Sequence, residues 1–215
     1  MSPSKIEHKL PLEVLEGLAL DQKPRIVMSE GNDPRVIAGA IAACNSGICQ
    51  IILLGSQLGI KNECKNLGLN LPIDISIINP EKSELLPEFE KEYLNIRKKK
   101  GGSIKEAQTK IKEPLIFAAL MVRLGYSTGT VGGAVETTSN VVRAAIQIIG
   151  KSDDAQLISS CFLMYPKGTF PMVFSDCGLV INPDQDELAS IAVMAAQSCK
   201  KLLQIEPIVA MLSFS

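Results

Sequence analysis

Three short apolar runs, RIVMS at 25–29, the stretch 48–54 and IDISII at 73–78, alternate with segments of helical pattern. This alternation constrains the fold more than any other feature. Apolar runs of strand length suit strands covered on both faces. Strands separated by helix-length segments require crossover connections, hence a parallel sheet flanked by helices. The punctuation agrees. Asp33 stands as an N-cap before Pro34 at the first helical position, and Gly47 marks that helix's stop. Gly55 ends the second run, and residues 57–67 supply the next helix candidate. The chain is therefore read as α/β.

Residues 84–112 are charged and helical in pattern, with Gly101 and Gly102 as a break, which predicts two surface helices. Pro114 opens an apolar helix, PLIFAALMVRLG, with Gly125 as its C-terminal cap, and TGTVGGA follows as a short strand. Beyond Gly150, AQLISSCFLMY and TFPMVFSDCGLVI read as strands and 184–203 as an amphipathic helix. The final run, IVAMLSFS at 208–215, has a buried-strand pattern. The expected organisation is a leader segment over 1–23, an N-terminal α/β lobe over 24–150 and a partial second α/β lobe over 151–215, with KSDD at 151–154 as the linker.

A net charge of −1, from 22 basic and 23 acidic residues, gives no overall pull toward nucleic acid or an anionic membrane, so any anion binding is local. The basic run 97–100 closes an acidic segment and reads as a solvated helical face. No apolar run approaches a membrane span and the N-terminus lacks a signal-peptide core, so a cytoplasmic protein is expected. Cysteines 44, 49, 64, 161, 177 and 199 form no CxxC pair and read as buried free thiols. The only histidine, His8, lies in the leader, which argues against a Ser-His-Asp triad or a His-rich metal site in the packed part.

The stretch 129–150, GTVGGAVETTSNVVRAAIQIIG, is the place to look for chemistry. A Gly-rich strand end runs into a hydroxyl cluster and then a helix. With Thr138 as N-cap, its hydroxyl and those of Thr137 and Ser139 lie beside the unpaired N–H groups at the positive end of the helix dipole, a seat for an anion. Arg143 falls on a narrow polar stripe with Asn140, Gln147 and Lys151. Spacing alone favours an ordinary capped helix whose arginine reaches water along its stem.

Taken together, SEGNDPRV (29–36), LIFAALMVRLGYSTGTVGGA (115–134), TTSNVVRAAIQIIG (137–150), FSDCGLVINPD (174–184) and EPIVAMLSFS (206–215) resemble the phosphate acetyltransferase family in collinear order. The resemblance implies a three-layer α/β/α sandwich of the isocitrate dehydrogenase-like kind, with the second domain incomplete. It implies a reversible reaction in which acetyl-CoA and phosphate give acetyl phosphate and CoA. These four are the implied ligands, with CoA as substrate and no cofactor or metal, and a homodimer is a further implied state. Arg143 matches the family arginine at the phosphate end of the site, Thr137 and Thr138 its paired hydroxyl positions, and Arg97 of LNIRKKKG a second arginine.

Departures accompany the match. Ala144 follows Arg143 where the family commonly has proline, and Gly132-Gly133-Ala134 stands for Ser-Gly-Ala. Glu136 brings a carboxylate beside the anion seat, where it repels phosphate unless paired or turned away. The family's Asp-Leu-Ser-Arg-Gly segment, which carries its catalytic aspartate and Ser-Arg pair, has no counterpart in these 215 residues. The expectation is a chain cut short of its catalytic segment and without turnover of its own. Alternatives are a non-catalytic acyl-CoA- or phosphate-binding domain, like the related domain appended to some malic enzymes, and a phosphate butyryltransferase.

Overall fold

Four short strands organise the larger part of the chain in a computed structural model that describes residues 11–98, 101–152, 155–166 and 170–212. His8, residues 99–100 of the basic run, residues 153–154 of the expected linker and residues 213–215 lie outside the described set. Within the segment read as a leader, Pro11–Gln22 forms helix α1. The described residues fall into two compact units, one being Ala19–Gly150 and the other the described parts of Met1–Leu18 and Lys151–Ser215.

In the first unit β1 (Arg25–Met28), α2 (Pro34–Ser46), β2 (Gln50–Leu54), α3 (Gln57–Asn66) and β3 (Ser76–Ile78) follow the expected alternation. Asp33 caps α2 by accepting the Arg35 N–H at 2.9 Å, and Gly47 closes it at φ 72°. α4 (Leu86–Arg97), α5 (Ile104–Lys110), α6 (Pro114–Arg123), β4 (Gly129–Val131) and α7 (Thr138–Ile148) complete the unit. The sheet runs β3-β2-β1-β4 with every pair parallel. β1 thus lies where the chain changes direction across the sheet, with β2 on one side and β4 on the other.

Side chains of β2 alternate between two cores, which explains why its sequence is apolar throughout. Ile51 and Leu53 join Ile37, Ala40 and Ile60 of α2 and α3, while Ile52 and Leu54 join Phe89, Phe117 and Leu120 on the opposite face. Helix, sheet and helix therefore form three layers. The helices expected at the surface over 84–112 carry more of the core than their charge suggests. Phe89 is fully buried and meets Phe117 with ring centroids 4.7 Å apart, and Tyr93 and Ala107 are buried beside them. Their acidic residues face outward, so a strong polar stripe masked a narrower apolar one.

The second unit differs from a continued parallel sheet. β5 (Cys161–Met164) and β6 (Met172–Ser175) pair antiparallel as a hairpin, each shorter than its apolar run, and α8 (Gln185–Leu203) packs against β6. Asp184 and Glu187 form a reciprocal capping box at the start of α8. Cys161, expected in the core, is exposed, as is its neighbour Phe162 on the opposite face of the strand. Residues 208–212 form no strand: Ile208 and Leu212 are exposed and no described strand pairs with them, so the apolar pattern meets no sheet edge.

Candidate functional site

Outside the carboxyl ends of β1, β2 and β4 lies a cleft of ≈ 770 Å³, wholly within the first unit. Open parallel sheets bind ligands at this end, beside the strand where the order reverses. A second cavity of ≈ 570 Å³ lies at the amino ends of β1 and β2, among Lys23, Arg25, Cys44 and Cys49, and lacks that placement.

The loop that follows β4 is shaped by Glu30, two residues beyond the end of β1. Its Oε2 accepts the N–H groups of Gly133 at 2.8 Å and Ala134 at 2.7 Å, and its Oε1 those of Val135 at 2.8 Å and Glu136 at 2.6 Å. Four successive N–H groups converge on one carboxylate, the arrangement that backbone nests offer to anions. Gly133, at φ 104°, adopts the positive torsion that starts this convergence. Burial pushes the Glu30 carboxyl up, and the four donors outweigh it, leaving its pKa below the ordinary glutamate value. The same loop is held from its other side by Arg35, whose Nη2 donates to the Ala134 carbonyl at 2.6 Å while pairing with Asp33 at 2.9 Å. The bond to the Arg35 side chain, ahead of all other influences, lowers the Asp33 pKa to about 2.

Gly132 permits a close approach between β1 and β4. A Cβ there would stand 2.6 Å from Ser29 Oγ, and Ser29 is 2% exposed with no partner for that hydroxyl. Ser29 therefore holds a hydroxyl where a serine at 132 would begin its side chain.

Thr137, not Thr138, is the N-cap of α7. Its Oγ1 accepts the Asn140 N–H at 3.2 Å and its backbone is extended (φ −72°, ψ 152°), whereas Thr138 is already helical. Neither threonine lines the cleft, although both are exposed and their hydroxyls can donate. Arg143 does line it, together with Glu136 and Asn140. Asn140 Nδ2 donates to Glu136 Oε2 at 2.8 Å, and Arg143 Nη1 donates to Asn140 Oδ1 at 3.1 Å. One oxygen of the Glu136 carboxylate is thus taken up by Asn140, a neutral neighbour that leaves the carboxylate charge in place.

Charge pairing singles out Arg143. Of the carboxylates lining the cleft, Glu30 is clasped by backbone and Asp33 by Arg35, and Glu113 pairs with Lys110 at 2.8 Å. Among the described residues Arg143 is the lining cation without a carboxylate partner. Arg97 is elsewhere. It ends α4, its Nη2 lies 3.6 Å from Glu106, its Nε is buried without a partner, and it does not line the cleft.

Residues 12–215 match the family model described as phosphate acetyl/butaryl transferase. The chain belongs to that family. It is 40% identical over 210 residues to the phosphate acetyltransferase of Paracoccus denitrificans, covering 95% of this chain and 62% of that protein. A phosphotransacetylase from Streptococcus pyogenes superposes with a TM-score of 0.88 at 32% identity, covering 100% of this chain and 63% of that one. The EutD phosphotransacetylase from Staphylococcus aureus gives 0.84 at 31% identity, over 95% and 62%. The chain thus spans about three fifths of the length of these relatives. Within this family frame, Glu30 belongs to the SEGND motif and Arg143 to TTSNVVR, and the structure brings both to one cleft.

In the second unit the family-like SDCG turn is structural. Asp176 accepts from Ser159 Oγ and Ser160 N at 2.7 Å each, and from the N–H groups of Gly178 at 2.7 Å and Leu179 at 2.8 Å. Burial pushes its carboxyl up, and these donors drive it well below the ordinary aspartate range. An acceptor so fully engaged holds the turn together and is poorly placed to take a proton.

Proposed function

We propose that this chain carries the phosphate-holding part of a phosphate acetyltransferase site, serving the reversible transfer of an acetyl group between CoA and phosphate. The observation that supports this most is Arg143, a cation without an ion pair in a cleft at the carboxyl ends of the strands, in the motif that matches the family. A guanidinium binds phosphoryl oxygens through paired, charge-assisted N–H donors. Thr137 and Thr138 are proposed to add hydroxyl donors from the helix start. Arg97 is proposed as a second cation on the strength of the sequence resemblance. The reaction also needs a base for the CoA thiol, because the thiolate is the nucleophile, and donors for the tetrahedral oxyanion. The 215 residues hold no Asp-Leu-Ser-Arg-Gly segment to supply these.

The 215-residue polypeptide is accordingly proposed to bind its anionic ligands without turnover, with the cytoplasm as its setting and homodimer formation as a further proposal. No helix among the described residues is long and apolar enough to cross a membrane. Calorimetry with acetyl phosphate and acetyl-CoA, beside an acetyl phosphate-forming assay, tests the reading. Binding with background turnover is expected; turnover abolished by Arg143→Ala shows that the polypeptide is a complete catalyst, and absence of binding refutes the site.

A further inference from the structure

We propose that Glu136 makes the cleft selective for an oxyanion that carries a proton, so that it takes inorganic phosphate and rejects sulfate. This rests on the reading that Arg143 holds the phosphate.

Asn140 fixes the charges that face the ligand. Its amide nitrogen donates to Glu136 Oε2 at 2.8 Å and its amide oxygen accepts from Arg143 Nη1 at 3.1 Å. The opposite amide orientation would set oxygen against carboxylate and NH2 against guanidinium, so the chemistry of the two neighbours determines which way Asn140 points. The Glu136 backbone is pinned as well, its N–H lying 2.6 Å from Glu30 Oε1. Glu136 Oε1 has no hydrogen-bond partner among the described residues. The remaining lining carboxylates are already engaged, Glu30 by four N–H groups, Asp33 by Arg35 and Glu113 by Lys110. The cleft therefore presents one unpaired cation and one carboxylate with an open acceptor oxygen, both tied to the same asparagine.

A fully ionised oxyanion on Arg143 meets repulsion from Glu136. A protonated one converts that repulsion into a charge-assisted hydrogen bond, since an ionised carboxylate only accepts and P–OH donates. The proton stays on the phosphate throughout. Near neutral pH inorganic phosphate always keeps at least one P–OH, whereas sulfate, of similar size and shape, keeps none. Selectivity then comes from the repulsive element rather than from an added attraction.

The experiment is calorimetric titration of the 215-residue protein with inorganic phosphate and with sulfate near neutral pH, repeated for Glu136→Gln and Arg143→Ala. The glutamine keeps an acceptor for Asn140 but is neutral and can donate to an anion. Wild type is expected to bind phosphate more tightly than sulfate by roughly tenfold or more. Glu136→Gln is expected to bring sulfate to within about threefold of phosphate, by gaining sulfate affinity. Equal binding of the two anions by wild type, or selectivity retained in Glu136→Gln, overturns the inference while leaving the role of Arg143 intact. Failure of wild type to bind either anion overturns both. Retained binding in Arg143→Ala refutes the Arg143 reading instead.

Discussion

Glu30 accepts the backbone N–H of Glu136 at 2.6 Å across 106 positions of sequence. One acidic residue thereby anchors the backbone of another, and the loop between β4 and α7 becomes an extension of β1. The four N–H groups of residues 133–136 form an anion nest, but it is filled by the chain's own carboxylate. The phosphate seat proposed at Arg143 lies in the same cleft, outside this nest.

Removing Glu30 leaves four loop N–H groups to water. Because the loop is half exposed, water replaces part of what is lost, and Glu30→Ala is expected to lower stability by about 1–2 kcal/mol. Chemical unfolding measures this. The amides of 133–136 should also exchange with solvent faster in the variant, with little change in the distant amides of β2.

The two threonines separate cleanly. Thr137→Ala removes the α7 cap and is expected to cost about 1 kcal/mol, while Thr138→Ala, already inside the helix, is expected to change stability by less than about 0.5 kcal/mol. Thermal melts of the two variants check the order. A larger loss for Thr138→Ala would return the cap to the residue that sequence spacing chose.

Ser29 and Gly132 compete for one place. Gly132→Ser puts a Cβ 2.6 Å from Ser29 Oγ, and overpacking of this kind typically costs about 1–3 kcal/mol. Ser29→Ala alone should be near neutral, because it deletes a buried hydroxyl that has no partner. Combining the two moves the hydroxyl from one strand to the other and should recover most of the loss. Unfolding free energies of the four proteins give the coupling directly.

Acid should loosen both units. Glu30, Asp33 and Asp176 all have folded-state pKa values below their ordinary ones, Asp33 at about 2. For depressed carboxylates the unfolded chain takes up protons first, so their stabilisation is fully present above the ordinary carboxylate pKa of about 4 and is lost as pH falls through the depressed values. Hydrogen exchange followed from neutral pH downward should show loop 133–136 and the 176–180 turn losing protection, after correction for intrinsic exchange. Protection unchanged in acid would contradict these carboxylate roles.

The fold was legible where local signals and burial pointed the same way. Asp33, Pro34 and Gly47 bracket α2, and the unbroken apolar run of β2 announces a strand covered on both faces. The hairpin was not legible as antiparallel, because runs such as CFLM and MVFS look alike in either direction. Phe89 and Tyr93 were hidden by the charged residues between them. In the site, Arg143 could be chosen from its motif. Glu30 could not be joined to it, since a contact across about a hundred positions leaves no local periodicity. A glutamate directly beyond an apolar strand end was the one available hint. Asn140 was read only as part of a polar stripe, and its bridging role needs both neighbours' coordinates.

The central claim, that Arg143 is the cation that holds phosphate, is tested most directly by titrating inorganic phosphate into the protein and two variants. Arg143→Ala is expected to weaken binding by tenfold or more, about 1.4 kcal/mol at least. The double variant Lys110→Ala, Glu113→Ala removes the other lining pair whole and is expected to stay within about twofold of wild type, because that lysine is already neutralised at 2.8 Å. Phosphate bound equally well by wild type and Arg143→Ala would contradict the account.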